Sequence, residues 1–215
     1  MCSVTLLSQD AKVTGYFFTE YGEAKRILSV ARKSADKAIK EAKKDPEQSA
    51  EDLTNPWLDA RISTIPLDFA TTLVSKTTFG GGGTRRAGGN YFQVAPSQQD
   101  VSDALAITGK DDLTEGKVPV FYFEDFELSN GEQPLYFSRT QLEKAFQKER
   151  PGEKMPEAKV SELFAILLEM VRPDGTDTDL QKIVFVPPPD SIKMAQKCLK
   201  ELDNQFTVGQ RNIVL

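Results

Sequence analysis

Asp59-Ala60-Arg61-Ile62-Ser63 returns later in the chain as Glu157-Ala158-Lys159-Val160-Ser161: acid, alanine, base, β-branched residue, serine. The segments downstream of the two phrases repeat as well. An apolar helical stretch (Leu67, Phe69, Ala70, Leu73, Val74; then Leu163, Phe164, Leu167, Leu168, Val171) leads to a glycine-containing loop. An aromatic strand then runs into proline, as Tyr91-Phe92-Gln93-Val94-Ala95-Pro96 and as Ile183-Val184-Phe185-Val186-Pro187, before another helix. Upstream, Tyr16-Phe17-Phe18-Thr19 matches Leu135-Tyr136-Phe137-Ser138, and each precedes a helix. Three matching blocks in one order read as an internal duplication with copies of ordinary domain size. The first copy covers residues 1–108 and the second residues 117–215. The expected fold class is α+β, two pseudo-symmetric repeats of strands and helices packed as one compact protein.

The composition excludes several function classes. With 215 residues, 39% of them hydrophobic, the chain can bury roughly 70% of its unfolded surface. The net charge of −5 comes from 32 acidic and 27 basic residues, well mixed, which makes nucleic acid an unfavoured partner. No apolar run is long enough to span a bilayer. Histidine is absent, which removes Ser-His-Asp and Cys-His catalysis and His-ligated zinc or haem. Cys2 and Cys198 are too few for a cysteine metal site and read as free thiols, with a single bridge between them the alternative. No catalytic motif, cofactor or metal site is expected. The first residues, Met1 to Leu7, resemble a strand rather than a signal or transit peptide, so the protein is either untargeted or already processed.

Local chemistry places the helix ends. Thr19 is positioned to cap the first helix, Ser97 or Asp100 the helix after the first copy's last strand, and Asp190 or Ser191 the C-terminal one. Ser138-Arg139-Thr140-Gln141 has the form of a capping box. Asn130-Gly131 supplies a turn, and Pro119 marks a strand end or edge. Trp57 reads as a core anchor. The lysine-rich tract at residues 33–44 alternates with Asp36 and Glu41 and reads as a solvated helix face, with acidic lipid the sharper alternative. The glycine run at residues 80–89 leaves a helix and enters a strand, the reverse of a phosphate cradle, so it reads as a hairpin-like insertion. Pro187-Pro188-Pro189 sets a strand-to-helix geometry. Asp174, Asp177 and Asp179 read as a solvated turn rather than a calcium site. Residues 208–215 are a further strand or a docked tail.

Val118-Pro119-Val120-Phe121, then Gln133-Pro134-Leu135-Tyr136-Phe137-Ser138 leading into Leu142-Glu143-Lys144-Ala145-Phe146, resembles the Tic twenty-two (Tic22) family. So do Tyr16-Phe17-Phe18 before a helix and the strand-proline-helix passages in each half. The resemblance runs from about residue 4 to residue 202. These proteins are related to the intermembrane-space component of the chloroplast import translocon. The resemblance implies a non-enzymatic plastid protein, soluble or membrane-peripheral, that binds unfolded precursors with chaperone character. Its partners would be translocon components and precursors, or a plastid membrane complex such as a photosystem in which it serves as an accessory subunit. The candidate contact surface comprises Phe17, Tyr91, Phe121, Phe123, Tyr136 and Phe185, aromatic residues that two repeats cannot all bury, with Arg85 and Arg86 facing an acidic partner.

Overall fold

In the computed structural model, the residues described are 2–7, 13–44, 53–78, 91–114, 116–172 and 179–205. The first half carries β1 (Cys2–Leu7), β2 (Val13–Phe18), α1 (Tyr21–Ala42), β3 (Ser63–Thr64), α2 (Leu67–Thr78), β4 (Tyr91–Ala95) and α3 (Gln98–Thr108). The second carries β5 (Pro119–Tyr122), β6 (Gln133–Tyr136), α4 (Arg139–Glu149), β7 (Lys159–Glu162), α5 (Leu163–Met170), a short 3-10 turn, β8 (Ile183–Val186) and α6 (Pro189–Gln205). The class is α+β.

The strands form two four-stranded sheets with the same plan, β3-β1-β2-β4 and β7-β5-β6-β8. In each, a central antiparallel hairpin gains an antiparallel strand on one side and a parallel strand on the other. The repeated Ala-base-β-branched-Ser phrase runs into the antiparallel edge. β7 contains most of its copy, whereas β3 begins only at its serine. Pro119 opens β5, where its missing N–H breaks no ladder. Gly131, at a φ of +80°, makes the turn before β6.

Alternation along the strands divides the apolar residues between two faces. Phe17, Val94, Val120, Leu135 and Phe137 point into one cluster shared by both sheets, joined by Ala70 and Val74 of α2 and Leu163 of α5. On the outer face of the first sheet, Phe18 packs with Ala24 of α1. On the outer face of the second, Phe121, Phe123 and Tyr136 pack with Leu142 and Phe146 of α4. Fully burying each of the valine, leucine and phenylalanine side chains contributes about 1.5–3 kcal/mol.

This face assignment corrects one register. Phe17 and Leu135 share the inner face, and Phe18 and Tyr136 look outward. Their parallel partners agree, Phe17 with Val94 and Leu135 with Phe185. The structural match is therefore Phe17 with Leu135, one residue from the match read in the sequence. A one-residue slip reverses every face, because side chains alternate with period two.

The last helix of each half crosses to the other. α3 packs against β5 and β7, where Ala104 joins the second sheet's outer core. α6 packs against β3 and α1 of the first half. Neither sheet is covered by its own half alone.

Candidate binding surface

Most of the aromatic residues proposed as a contact surface are interior. Phe121 is 0% exposed, Phe123 1%, Tyr136 4% and Phe17 5%. Two packed sheets with exchanged helices bury more aromatic area than two separate repeats would. Phe123 makes edge-to-face contacts with Phe126 and Phe146, the geometry that ring quadrupoles favour. Phe185 is half-buried on β8 and stacks on Phe137 at 6.2 Å. The Tyr91 side chain, Arg85, Arg86, the glycine run, most of the Asp174–Asp179 turn and residues 208–215 lie outside the described residues. Cys198 is a free thiol. Trp57 is half-buried beside the Phe18 and Ala24 cluster.

Three of the exposed large apolar side chains lie on or beside the two helices that complete the shared core. Phe69 of α2 is 54% exposed, Leu168 of α5 59%, and Val171 just after α5 73%. Phe69 lies one turn before half-buried Leu73, and Leu168 and Val171 lie one turn beyond Phe164 and Leu167. Each helix thus carries an apolar face wider than the core can cover. Leu163, Phe164, Ile166, Leu167, Leu168 and Val171 span more than half of the helical circumference, and that surplus was the available sequence signal.

The start of α5 is held firmly. Glu162 ends β7, and its carboxylate accepts from the N–H groups of Phe164 at 3.1 Å and Ala165 at 2.8 Å. It also accepts from the Val118 N–H at 3.3 Å, which ties the helix start to the neighbouring strand. A carboxylate at a helix N-terminus satisfies free donors and opposes the helix dipole. β4 and β8 are the outer parallel strands of their sheets. Phe92 on β4 stacks on Phe17 at 5.4 Å, nearly parallel.

A second feature is polar. The first turns of α1, α4 and α6 line a cleft of about 330 Å³ that includes Glu20, Ser138, Gln141, Lys144 and Asp190. Burial, with Glu23 and Asp190 nearby, holds the Glu20 carboxyl above its usual range. Beside this junction sits Asp100 of α3, 1% exposed. Its carboxyl accepts from the Ser97 hydroxyl at 2.5 Å.

One capping assignment agrees with the sequence reading and three differ. Ser97 caps α3, accepting from the Asp100 N–H. The N-cap of α1 is Glu20, not Thr19, and the hydroxyl oxygen of Thr19 is buried without a partner among the described residues. Ser138 precedes α4 but makes no cap bond; it lies near the Asp100 carboxyl and favours that group's charged form. Ser191 lies within α6 and bonds to α1 instead. A short hydroxyl side chain reads as a local cap, yet Ser191 finds its partners at the start of another helix.

No group of three or more metal-ligating side chains occurs among the described residues, and no described helix is long and apolar enough to cross a membrane. No protein-family model matches the chain, and no curated protein sequence matches it. Among solved structures, the chain is similar to Tic22 from Plasmodium falciparum, with a TM-score of 0.57 and 20% identity. That match covers 94% of this chain and 88% of the other. It is also similar to Anabaena Tic22, described as a protein-transport protein, with a TM-score of 0.51 and 17% identity over 90% of this chain and 86% of the other. The chain has the Tic22 fold.

Proposed function

We propose that this chain is a Tic22-type component of plastid protein transport that holds extended segments of precursor polypeptides against the apolar surface of α2 and α5. Two observations support the reading. The fold is shared nearly end to end with two Tic22 structures, one of them described as a protein-transport protein. The observation that carries the contact site is the exposure of Phe69, Leu168 and Val171 beside a core that is itself only half covered at its rim. Leu168 and Val171, three residues apart, adjoin on one helix surface, and exposed large apolar side chains that adjoin mark a place where another chain is buried. An extended client needs no deep pocket there, because side-chain contacts along two helix faces hold it weakly and reversibly.

The experiment is photo-cross-linking from positions 69 and 168 of the purified protein in the presence of an unfolded precursor. Cross-links to many precursors, together with suppression of their aggregation near equal ratios, are expected. Cross-links to one fixed set of membrane-complex subunits at constant stoichiometry would make the chain a structural accessory instead.

A further inference from the structure

We propose that the outward face of α1 is a docking surface for a membrane rich in anionic lipid, made by Arg26, Lys33, Lys37 and Lys40 with Val30 among them and Leu58 on the adjoining turn.

The charge distribution is one-sided. Between Tyr21 and Lys44 there are eight basic and three acidic residues, a net charge of +5 in a chain whose total is −5. The helical repeat places Arg26, Val30, Lys33, Lys37 and Lys40 at spacings of three and four, on one line opposite buried Ala24 and Leu28. The line runs roughly 21 Å along the helix, at 1.5 Å per residue. The acids of this segment are set aside. Glu23 pairs with Arg26 at 2.7 Å, Glu41 approaches Lys37 at 3.9 Å, and Asp36 accepts from the Asn55 amide. Lys33 and Lys40 have no ion pair among the described residues. The fully buried residues of α1 end at Leu28, and Ala31, Ala35, Ile39 and Ala42 keep a half-buried face as the helix continues, opposite the basic line.

Apolar side chains on the same part of the molecule identify the occupant. Val30 is 53% exposed within the basic line. Arg32 holds the next turn against the helix, donating to the carbonyls of Trp57 at 2.8 Å, Leu58 at 3.3 Å and Ala60 at 2.8 Å. That clasp presents Leu58, 69% exposed, on the flank of the line. A straight row of lysines with Val and Leu among and beside it fits a surface that has negative charge outside and hydrocarbon beneath. A nucleic acid or an acidic protein would match the lysines and leave those side chains in water. The proposal is independent of the polypeptide surface on α2 and α5.

The test is co-sedimentation of the full chain with vesicles of phosphatidylcholine, with or without about a third phosphatidylglycerol. The wild type is expected to bind only the anionic vesicles, with binding that falls as salt is added. K33Q/K37Q/K40Q should weaken binding by about a hundredfold, at about a factor of five per lysine near a charged surface. K33R/K37R/K40R should retain it, and L58S should weaken it while leaving its salt dependence. Unchanged circular dichroism keeps folding apart from binding. Equal binding to neutral and anionic vesicles, or full binding by the glutamine variant, would overturn the proposal. So would capture of an acidic protein through these lysines without any vesicle binding.

Discussion

Ser191, in the first turn of α6, accepts a hydrogen bond from the backbone N–H of Tyr21 at 3.2 Å and donates to the carbonyl of Thr19 at 3.3 Å. The second half of the chain thereby satisfies the start of the first half's long helix. Asp100 of α3 makes the reciprocal approach to Ser138, at the start of α4. With α3 on the second sheet and α6 beside the first, these contacts fasten the two halves from both sides.

Ser191→Ala removes a partner from the Tyr21 N–H and the Thr19 carbonyl in a place where Ser191 is only 4% exposed. A loss of about 1–3 kcal/mol is expected for groups left unpaired there. Urea unfolding should show a lower midpoint with an unchanged slope.

Because each half lends a helix to the other, residues 1–108 expressed alone should lack cooperative unfolding, and so should residues 117–215. Mixing the two fragments should restore it. A sharp unfolding transition in either fragment would contradict this expectation.

Burial first of all pushes the Asp100 carboxyl from 3.8 up to about 7, and the Glu20 and Asp103 carboxylates add to the rise against the Ser97 and Ser138 hydroxyls. Between those values the folded protein keeps a proton that the unfolded chain has released. Stability is therefore full below about pH 3.8 as far as this group is concerned, declines as pH rises, and has lost the whole contribution above about pH 7. The difference is on the order of a few kcal/mol. Asp100→Asn should flatten this part of the stability-pH curve and raise the melting temperature at pH above 7.

Gly15 pairs with Phe92 across β2 and β4, and a Cβ there would lie 2.7 Å from two ring carbons of Phe92. Gly15→Ala is expected to cost about 1–3 kcal/mol as the ring is driven off its stack on Phe17. Adding Phe92→Val should recover part of the loss in a double-mutant cycle.

Stability and client binding should separate by position. Phe121→Ala is expected to cost about 3–5 kcal/mol, since the ring is fully buried. Phe69→Ser and Leu168→Ser should each change stability by only about 0.5 kcal/mol and yet abolish suppression of client aggregation. Suppression that survives both serine changes would remove α2 and α5 from the contact site.

The sequence alone determined the order of the elements and their chemistry. Turn residues, prolines, the Ser97 cap and the apolar periods mark where β2, α1, α4, β8 and α6 occur, since each depends on a few neighbouring residues. The likeness between the two halves likewise placed the strand-proline-helix passages. Tertiary structure decided what those elements face. Register is set by which side of a strand finds a core, so the match of Phe17 with Leu135 emerged only with both sheets in place. The hydroxyl of Ser191 reads as a local cap, but a side chain within reach of another helix start bonds there instead. Phe121 and Tyr136 became interior and Phe69 and Leu168 remained at the surface for the same reason. Apolarity says that a side chain avoids water, and only the packing of the exchanged helices decides which side chains succeed.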